Sequence, residues 1–463
     1  MRGEKVSKSG DFSQGSIAAT VLRMAAPITL AEIVHVLYNL VDRMFIARIP
    51  EIGTAALSGI GIAFPLITLI SGFANLCGTG GNPLCSIARG EGDKERARSI
   101  MESSFSMLLL IGVALMIILL LLAEPILGAM GGDEETLPYA LEYINIYLLG
   151  TVFTMISLGM NPFINGMGFA KVGMGTVLIG AVLNIVLDPI FIFVFDMGVK
   201  GAAIATVISQ FVSAAWVLIF LTGKRTLLKI EKLRIDTNEA GGILRLGATG
   251  FMFKFSNSIA QAVVNLTLKQ FAGALSTLYI AAMSIINSIR EVISQPLSGI
   301  TTAAVPIMSY NYGAAKHSRV KETIKFMTKA ALGYNVAAWL LLMLAPGILI
   351  AIFTGDAQLT ELTIKCLRIY YATYFMMSFQ LAGQNTFVAL NRPKYALFFS
   401  ILRKLILIVP LTLLLPRIGM GVDGVFWAEV ISQLLGASAC FATMYFTIYK
   451  KLPPEIKGPS RKS

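Results

Sequence analysis

The sequence predicts an all-α polytopic membrane protein, with twelve transmembrane helices in two parallel six-helix repeats. Three observations predict it. Apolar types make up 56% of the 463 residues and charged types only 14%, where soluble domains carry about 25% charged residues. Twelve apolar stretches are each long enough to cross the hydrocarbon core of a bilayer. The two halves of the chain also match each other at a fixed offset. With a mean hydropathy of +0.73, this composition excludes a soluble enzyme, a disordered protein and a disulfide-rich secreted domain.

The first 20 residues are polar, and their apolar stretches are too short for a signal-peptide core. They read as a cytoplasmic tail. Helices then follow over 21–46, 54–82, 99–123, 137–162, 170–195 and 201–222, which form an N-lobe at 21–222. A polar linker occupies 223–242 (GKRTLLKIEKLRIDTNEAGG). The C-lobe, 243–448, holds helices over 243–270, 276–308, 324–346, 360–388, 395–416 and 422–448, and a cytoplasmic tail fills 449–463. Each span is expected to be helical, because lipid offers the backbone no hydrogen-bond partner. Cys77, Cys85, Cys366 and Cys440 lie in or beside apolar stretches, form no CxxC pair, and read as buried thiols.

The net charge of +12 would suggest nucleic acid in a soluble protein; here it is topogenic, so no nucleic-acid partner is expected. Basic residues gather in alternate connections: Arg89, Lys94, Arg96 and Arg98; six between Lys224 and Arg245; Lys316, Arg319, Lys321 and Lys325. The opposite connections hold little beyond Arg48, Lys200 and Arg417, and one carries Asp133, Glu134 and Glu135. Basic loops stay inside, so both termini are expected to be cytoplasmic.

A shift of 223 residues lays Pro83, Ser86, Gly90 and Arg96 on Pro306, Ser309, Gly313 and Arg319. It lays Ile146 and Tyr147 on Ile369 and Tyr370, and the run from Val199 to Gln210 on Val422 to Gln433. Six helices is an even number, so both halves enter the membrane in the same direction. Parallel repeats of this kind are a transporter architecture.

An ionisable group inside the membrane costs about 3 kcal/mol, so each is a functional candidate. Asn184 and Asp188 are four residues apart and share a helix face. Pro189 has no N–H for the carbonyl of Ile185, which predicts a kink. Carboxylate, amide and carbonyl oxygens suit a small hard cation, and Asp42 would complete the set if its helix packs nearby. Two carboxylates in one low-dielectric site can also share a proton. The alternatives are a structural hydrogen bond at Asp188 and neutralisation of Asp42 by Arg43. Glu32 and His35 share a face and either line a cavity, with Tyr38 on the same helix, or bond each other. Glu291 either attracts a cationic substrate or sits in an ion pair. Met155 and Met376 occupy equivalent regions of the two halves; they suit an adaptable binding wall or simply face lipid. Arg403 and Lys404 are expected to snorkel or to face inward water, Lys254 and Arg290 are further basic positions, and Glu429 has no assigned role. No GxxxxGK[ST] loop, HExxH or GxSxG occurs, so neither ATP, a catalytic centre nor a cofactor is expected.

The stretches LYNLVDRMFIA (37–47), VLNIVLDPIFIF (182–193) and VKGAAIATVISQ (199–210) resemble the multidrug and toxic compound extrusion (MATE) family, from about residue 15 to 450. The resemblance implies two six-helix bundles around a V-shaped cavity that alternates between the two sides. It implies an antiporter of the cytoplasmic (inner) membrane that exports small organic cations in exchange for Na⁺ or H⁺, with membrane lipid around it and no obligate protein partner. It places the family's N-lobe cation site, a candidate for Na⁺, on Asp42, Asn184, Asp188 and Thr206, with a backbone carbonyl at Ala202; kinks at Pro27 and Pro189 are expected to serve as hinges when the cation binds. Some relatives use acids on the seventh and tenth helices instead; here the seventh has none and the tenth only Glu361. A lipid-linked oligosaccharide or peptidoglycan-precursor flippase is the alternative, and it would need Lys254, Arg290, Arg403 and Lys404 to converge on a cavity.

Overall fold

The computed structural model describes residues 10–453. The tail positions 1–9 and 454–463 lie outside the described residues. Within them the chain is predominantly helical, in twelve long segments joined by short connections and a non-helical linker at 223–236. These are α1 (Ile17–Ala47), α2 (Gly53–Glu91), α3 (Lys94–Ala129), α4 (Leu137–Leu149 and Thr151–Gly166), α5 (Ala170–Pro189, running on as a π-helical turn, Ile190–Val194) and α6 (Gly198–Thr222). They continue as α7 (Thr237–Phe271), α8 (Ser276–Gly313), α9 (His317–Leu344) and α10 (Ala357–Tyr370 and Met377–Ala389). The last two are α11 (Pro393–Ile401, a π-helical stretch Leu402–Ile408, and Val409–Leu414) and α12 (Asp423–Met444 with Tyr445–Tyr449).

Eight of these are long and apolar enough to cross a membrane singly, and the two pieces of α4, bent by 60°, make a ninth span. The remaining three, α7, α8 and α10, have the length of a span with a more polar composition. Polar side chains of all three, among them Asn257, Arg290 and Thr373, line a cavity described below.

The chain forms two compact units. One is built on Pro27–Gly250, and the other on Phe12–Ala26 together with the chain from Phe251 onward. The divisions therefore fall inside α1 and inside α7. Residues 12–16 are not a loose tail. Phe12 is buried and meets Tyr310 edge-on at 5.7 Å. The Arg319 guanidinium donates to the carbonyls of Phe12, Gln14 and Gly15 at 3.0–3.2 Å.

The duplication extends to backbone conformation. Gly92 ends α2 with φ 84°, and the N–H of Asp93 closes onto the Ala88 carbonyl at 3.0 Å. At the equivalent point Ala315 ends α8 with φ 55°, and Lys316 N–H closes onto Asn311 at 2.9 Å. Gly168 and Asn391, and Gly198 and Gly421, repeat the pattern with positive φ. Only glycine takes this region freely, and asparagine tolerates it. Alanine at 315 is strained, so Ala315→Gly is expected to stabilise the C-terminal unit by about 0.5–1 kcal/mol. Thermal unfolding of the purified variant checks this; no rise, or a fall, contradicts it.

In the N-terminal unit α2 and α4 cross backbone to backbone. A side-chain carbon at Gly78 would run into the Gly159 carbonyl, and one at Gly81 would meet the Phe163 ring at 2.6 Å. Small residues permit such crossings, which replace a hydrophobic driving force in lipid. The linker is strapped to α3. Glu102, 1% exposed, accepts from the N–H groups of Glu231 and Lys232 at 3.0 and 3.1 Å and pairs with Arg234 at 2.8 Å. Ser103 accepts from Asp236 N–H at 2.9 Å. Glu102→Ala removes all of the Glu102 bonds at a cost of about 2 kcal/mol to that local docking. Tryptic cleavage at Lys229 and Lys232 is expected to quicken by about 10-fold; an unchanged rate contradicts the strap.

Candidate ion and substrate sites

The N-terminal unit brings α1, α5 and α6 together around an acidic cluster. Asp188 is fully buried and Asn184 is 2% exposed, as their shared helix face requires. Asn184 Nδ2 donates to Asp188 Oδ1 at 3.0 Å and to Thr206 Oγ1 at 3.3 Å. Asp42 on α1 lies close enough to Asp188 for the two carboxyls to interact. Asp42 Oδ1, Asp188 Oδ2 and Asn184 Oδ1 are buried and have no donor. Three buried acceptor oxygens facing two carboxylates need a cation or a shared proton. The donor set fits Na⁺, a hard ion that takes oxygen ligands.

Neighbouring tyrosines close the site. Tyr143 lies near Thr206, Tyr147 stacks on Tyr143 at 6.0 Å, and Tyr38 lies near Asp42, Asp188 and Tyr147. Sequence reasoning missed Tyr143 and Tyr147, although the repeat match at Tyr147 and Tyr370 was a signal for them. The Arg43 guanidinium stacks over the Phe64 ring at 4.8 Å. Ala202 is buried one turn before Thr206 on α6. Pro189 does not end its helix cleanly. The N–H of Ile190 turns to the Leu187 carbonyl, and the helix widens to a π-turn. Pro27 lies within α1, where the chain passes from one unit to the other.

The other candidate positions are dispersed. Glu32 is exposed on α1, while His35 is half-buried, bonds Asn39 at 3.3 Å and meets Tyr38 edge-on at 5.1 Å. Met155 is fully buried beside Gly112, so it belongs to the helix-packing core and not to an open wall. Met376 is half-buried in the short turn that breaks α10. Glu291 is exposed and Arg290 half-buried, on different faces of α8.

A second cluster lies wholly within the C-terminal unit. Arg403 and Lys404, each 4% exposed, reach Glu429 on α12 at 3.0 and 3.4 Å. They neither snorkel nor meet bulk water, because Glu429 holds them inward. Arg403 also donates to Gln433, and Arg290 donates to the Tyr370 hydroxyl at 2.7 Å. These residues line a cavity of about 180 Å³. Lys254 is exposed and is not among its lining residues. Thus three of the four basic residues singled out from the sequence converge there. Glu429 and Gln433 stand 223 residues after Thr206 and Gln210, so equivalent positions serve an acidic cluster in one half and a mainly basic one in the other.

A duplicated bundle of membrane-length helices with buried ionisable clusters defines a multi-pass membrane transport protein. The chain belongs to the MATE family of transporters: the MatE family model matches residues 27–190 and again 255–414. It is similar to the multidrug export protein MepA of Staphylococcus saprophyticus, 24% identical over 94% of this chain and 95% of that one. MepA of Staphylococcus aureus is 25% identical with the same coverage. Among solved structures it is similar to an outward-facing multidrug resistance MATE transporter of the MOP superfamily (TM-score 0.88, 25% identical, 96% of this chain and 98% of that one). It is equally similar (TM-score 0.88, 25%, 96% and 98%) to a MOP-superfamily transporter from Pyrococcus furiosus, described as having a binding pocket of reversed polarity that suggests a different function.

Proposed function

We propose that this protein is a secondary multidrug exporter of the cytoplasmic membrane, with both termini inside, that moves small cationic amphipathic compounds out in exchange for Na⁺ or H⁺. The observation that carries the reading is the pairing of half-buried Asp42 with fully buried Asp188, each with a buried oxygen that has no donor. The similarity to MepA supports the substrate class. A cation entering from outside binds between Asp42, Asn184, Asp188 and Thr206. Its charge and ligand demand favour one arrangement of α1, α5 and α6 over the other, and Pro27 and Pro189 absorb the change. Coupling follows if the exported compound prefers the opposite arrangement, since each ligand shifts the equilibrium only by its differential affinity. The flippase alternative is not carried forward, because the full-length relatives from Staphylococcus are named as multidrug export proteins.

The test is ethidium efflux from energised cells that express the protein, compared with cells carrying the empty vector. Faster efflux, abolished when Na⁺ and pH gradients are both collapsed, is expected. Equal efflux in the two cell lines would sink the reading.

A further inference from the structure

We infer that the cavity of the C-terminal unit binds the carboxylate of an exported aromatic compound. This deepens the export reading and rests on it. Three cations, Arg290, Arg403 and Lys404, face a single carboxylate, Glu429, and two of them already share it. The two arginines alone outnumber that carboxylate, so at least one positive charge stays uncompensated in a low-dielectric setting, which is costly without a counter-charge.

The hydrogen-bonding inventory has the same sign. Arg403 Nε, Gln433 Nε2 and the Tyr374 hydroxyl are buried and have no partner. Their residues are 4%, 5% and 6% exposed, and all three line the cavity. Arg403 donates to the Gln433 carbonyl oxygen, which leaves the Gln433 amide as a donor without a partner. Arginine and the glutamine amide can only donate there, and the tyrosine hydroxyl has a proton to give. The complement of such a set is an anion with several lone pairs, and a carboxylate matches the fork of a guanidinium.

The walls select an aromatic body. Tyr370, Tyr371 and Tyr374 meet edge to face with ring centroids 5.2 Å apart, beside Phe253. A cavity of about 180 Å³ is close to the roughly 150 Å³ that admits a benzene ring. It holds one ring and its carboxylate, with the rest of the compound outside. The equivalent cluster in the N-terminal unit has acceptors without donors, so this cavity is not a second copy of the cation site.

Equilibrium binding of 2-naphthoate to the purified full-length protein, in detergent free of phospholipid, tests the proposal. Naphthoate is expected to bind, and the uncharged 2-naphthamide to bind about 10-fold or more weakly. Arg290→Gln and Arg403→Gln are each expected to weaken naphthoate about 10-fold, with Arg403→Lys recovering part of the loss. If Arg403→Gln does not fold, Arg290→Gln decides. Equal affinity for acid and amide, or no effect of the arginine substitutions, overturns the proposal. So does displacement of naphthoate by phosphatidylglycerol in nanodiscs, which would assign the cavity to a lipid phosphate. Failure of naphthoate to bind a protein that still exports ethidium removes the pocket and leaves the export reading standing. Naphthoate binding with no ethidium efflux removes the export reading and supports the pocket's choice of anion.

Discussion

Asp188→Asn is expected to abolish ion-coupled efflux while the protein stays folded. Asp188 Oδ1 is held by Asn184 at 3.0 Å, and Oδ2 is buried without a donor. Asparagine preserves the volume and one acceptor oxygen, so packing around α5 is retained. The change removes one of two negative charges facing the bound cation. In a dry site that is worth on the order of 3 kcal/mol, or about 100-fold in cation affinity. A proton shared between two carboxylates is lost in the same way, since an amide cannot take it up. The expected result in proteoliposomes is no drug flux under an imposed Na⁺ or pH gradient. The melting temperature is expected to be unchanged or slightly raised, because two carboxylates no longer crowd each other. Driven flux at the normal rate would remove Asp188 from the coupling site. Loss of both flux and folding would show a structural role instead.

Glu429→Ala is expected to give the largest loss of stability of any single change discussed. Glu429 receives Arg403 at 3.0 Å and Lys404 at 3.4 Å, and both cations are 4% exposed. Removing the carboxylate leaves two like charges buried together without a counter-ion. Breaking a buried pair from one side costs about 3–5 kcal/mol. Thermal unfolding followed by size-exclusion chromatography is expected to show a clear drop in melting temperature. Adding Lys404→Met to the same protein is expected to recover part of it, because one unpaired charge is then gone. An unchanged melting temperature in Glu429→Ala would mean that the ion pairs contribute nothing to the fold.

Most of the architecture was legible in the sequence, for a physical reason. Hydrocarbon forces the backbone into helices, so hydropathy alone placed the long segments. Helices α7, α8 and α10 read as ordinary spans because their polar residues are spread thinly along them; only the fold shows several of those side chains meeting one cavity. The duplication was legible from identities such as Tyr147 and Tyr370. Its conformational half was hidden, because Gly92 and Gly168 are matched by Ala315 and Asn391, which share a backbone angle and not a residue type. At the candidate site, Asn184 and Asp188 announced themselves through spacing on one helix. Asp42 needed the packing of α1, which no local pattern specifies. Glu429 had no readable role, because its partners lie 25 and 26 residues earlier on another helix.

The most direct test of ion coupling at Asp42 and Asp188 is to measure drug and ion movement together. Proteoliposomes containing the purified protein and loaded with ethidium would be followed for ethidium release and for ²²Na⁺ or proton uptake in the same sample. The expected result is uptake in fixed proportion to release, driven by whichever ion gradient is imposed and stopped by Asp188→Asn. Ethidium release with no accompanying ion movement would contradict the coupling and leave the acidic cluster of the N-terminal unit without its proposed purpose.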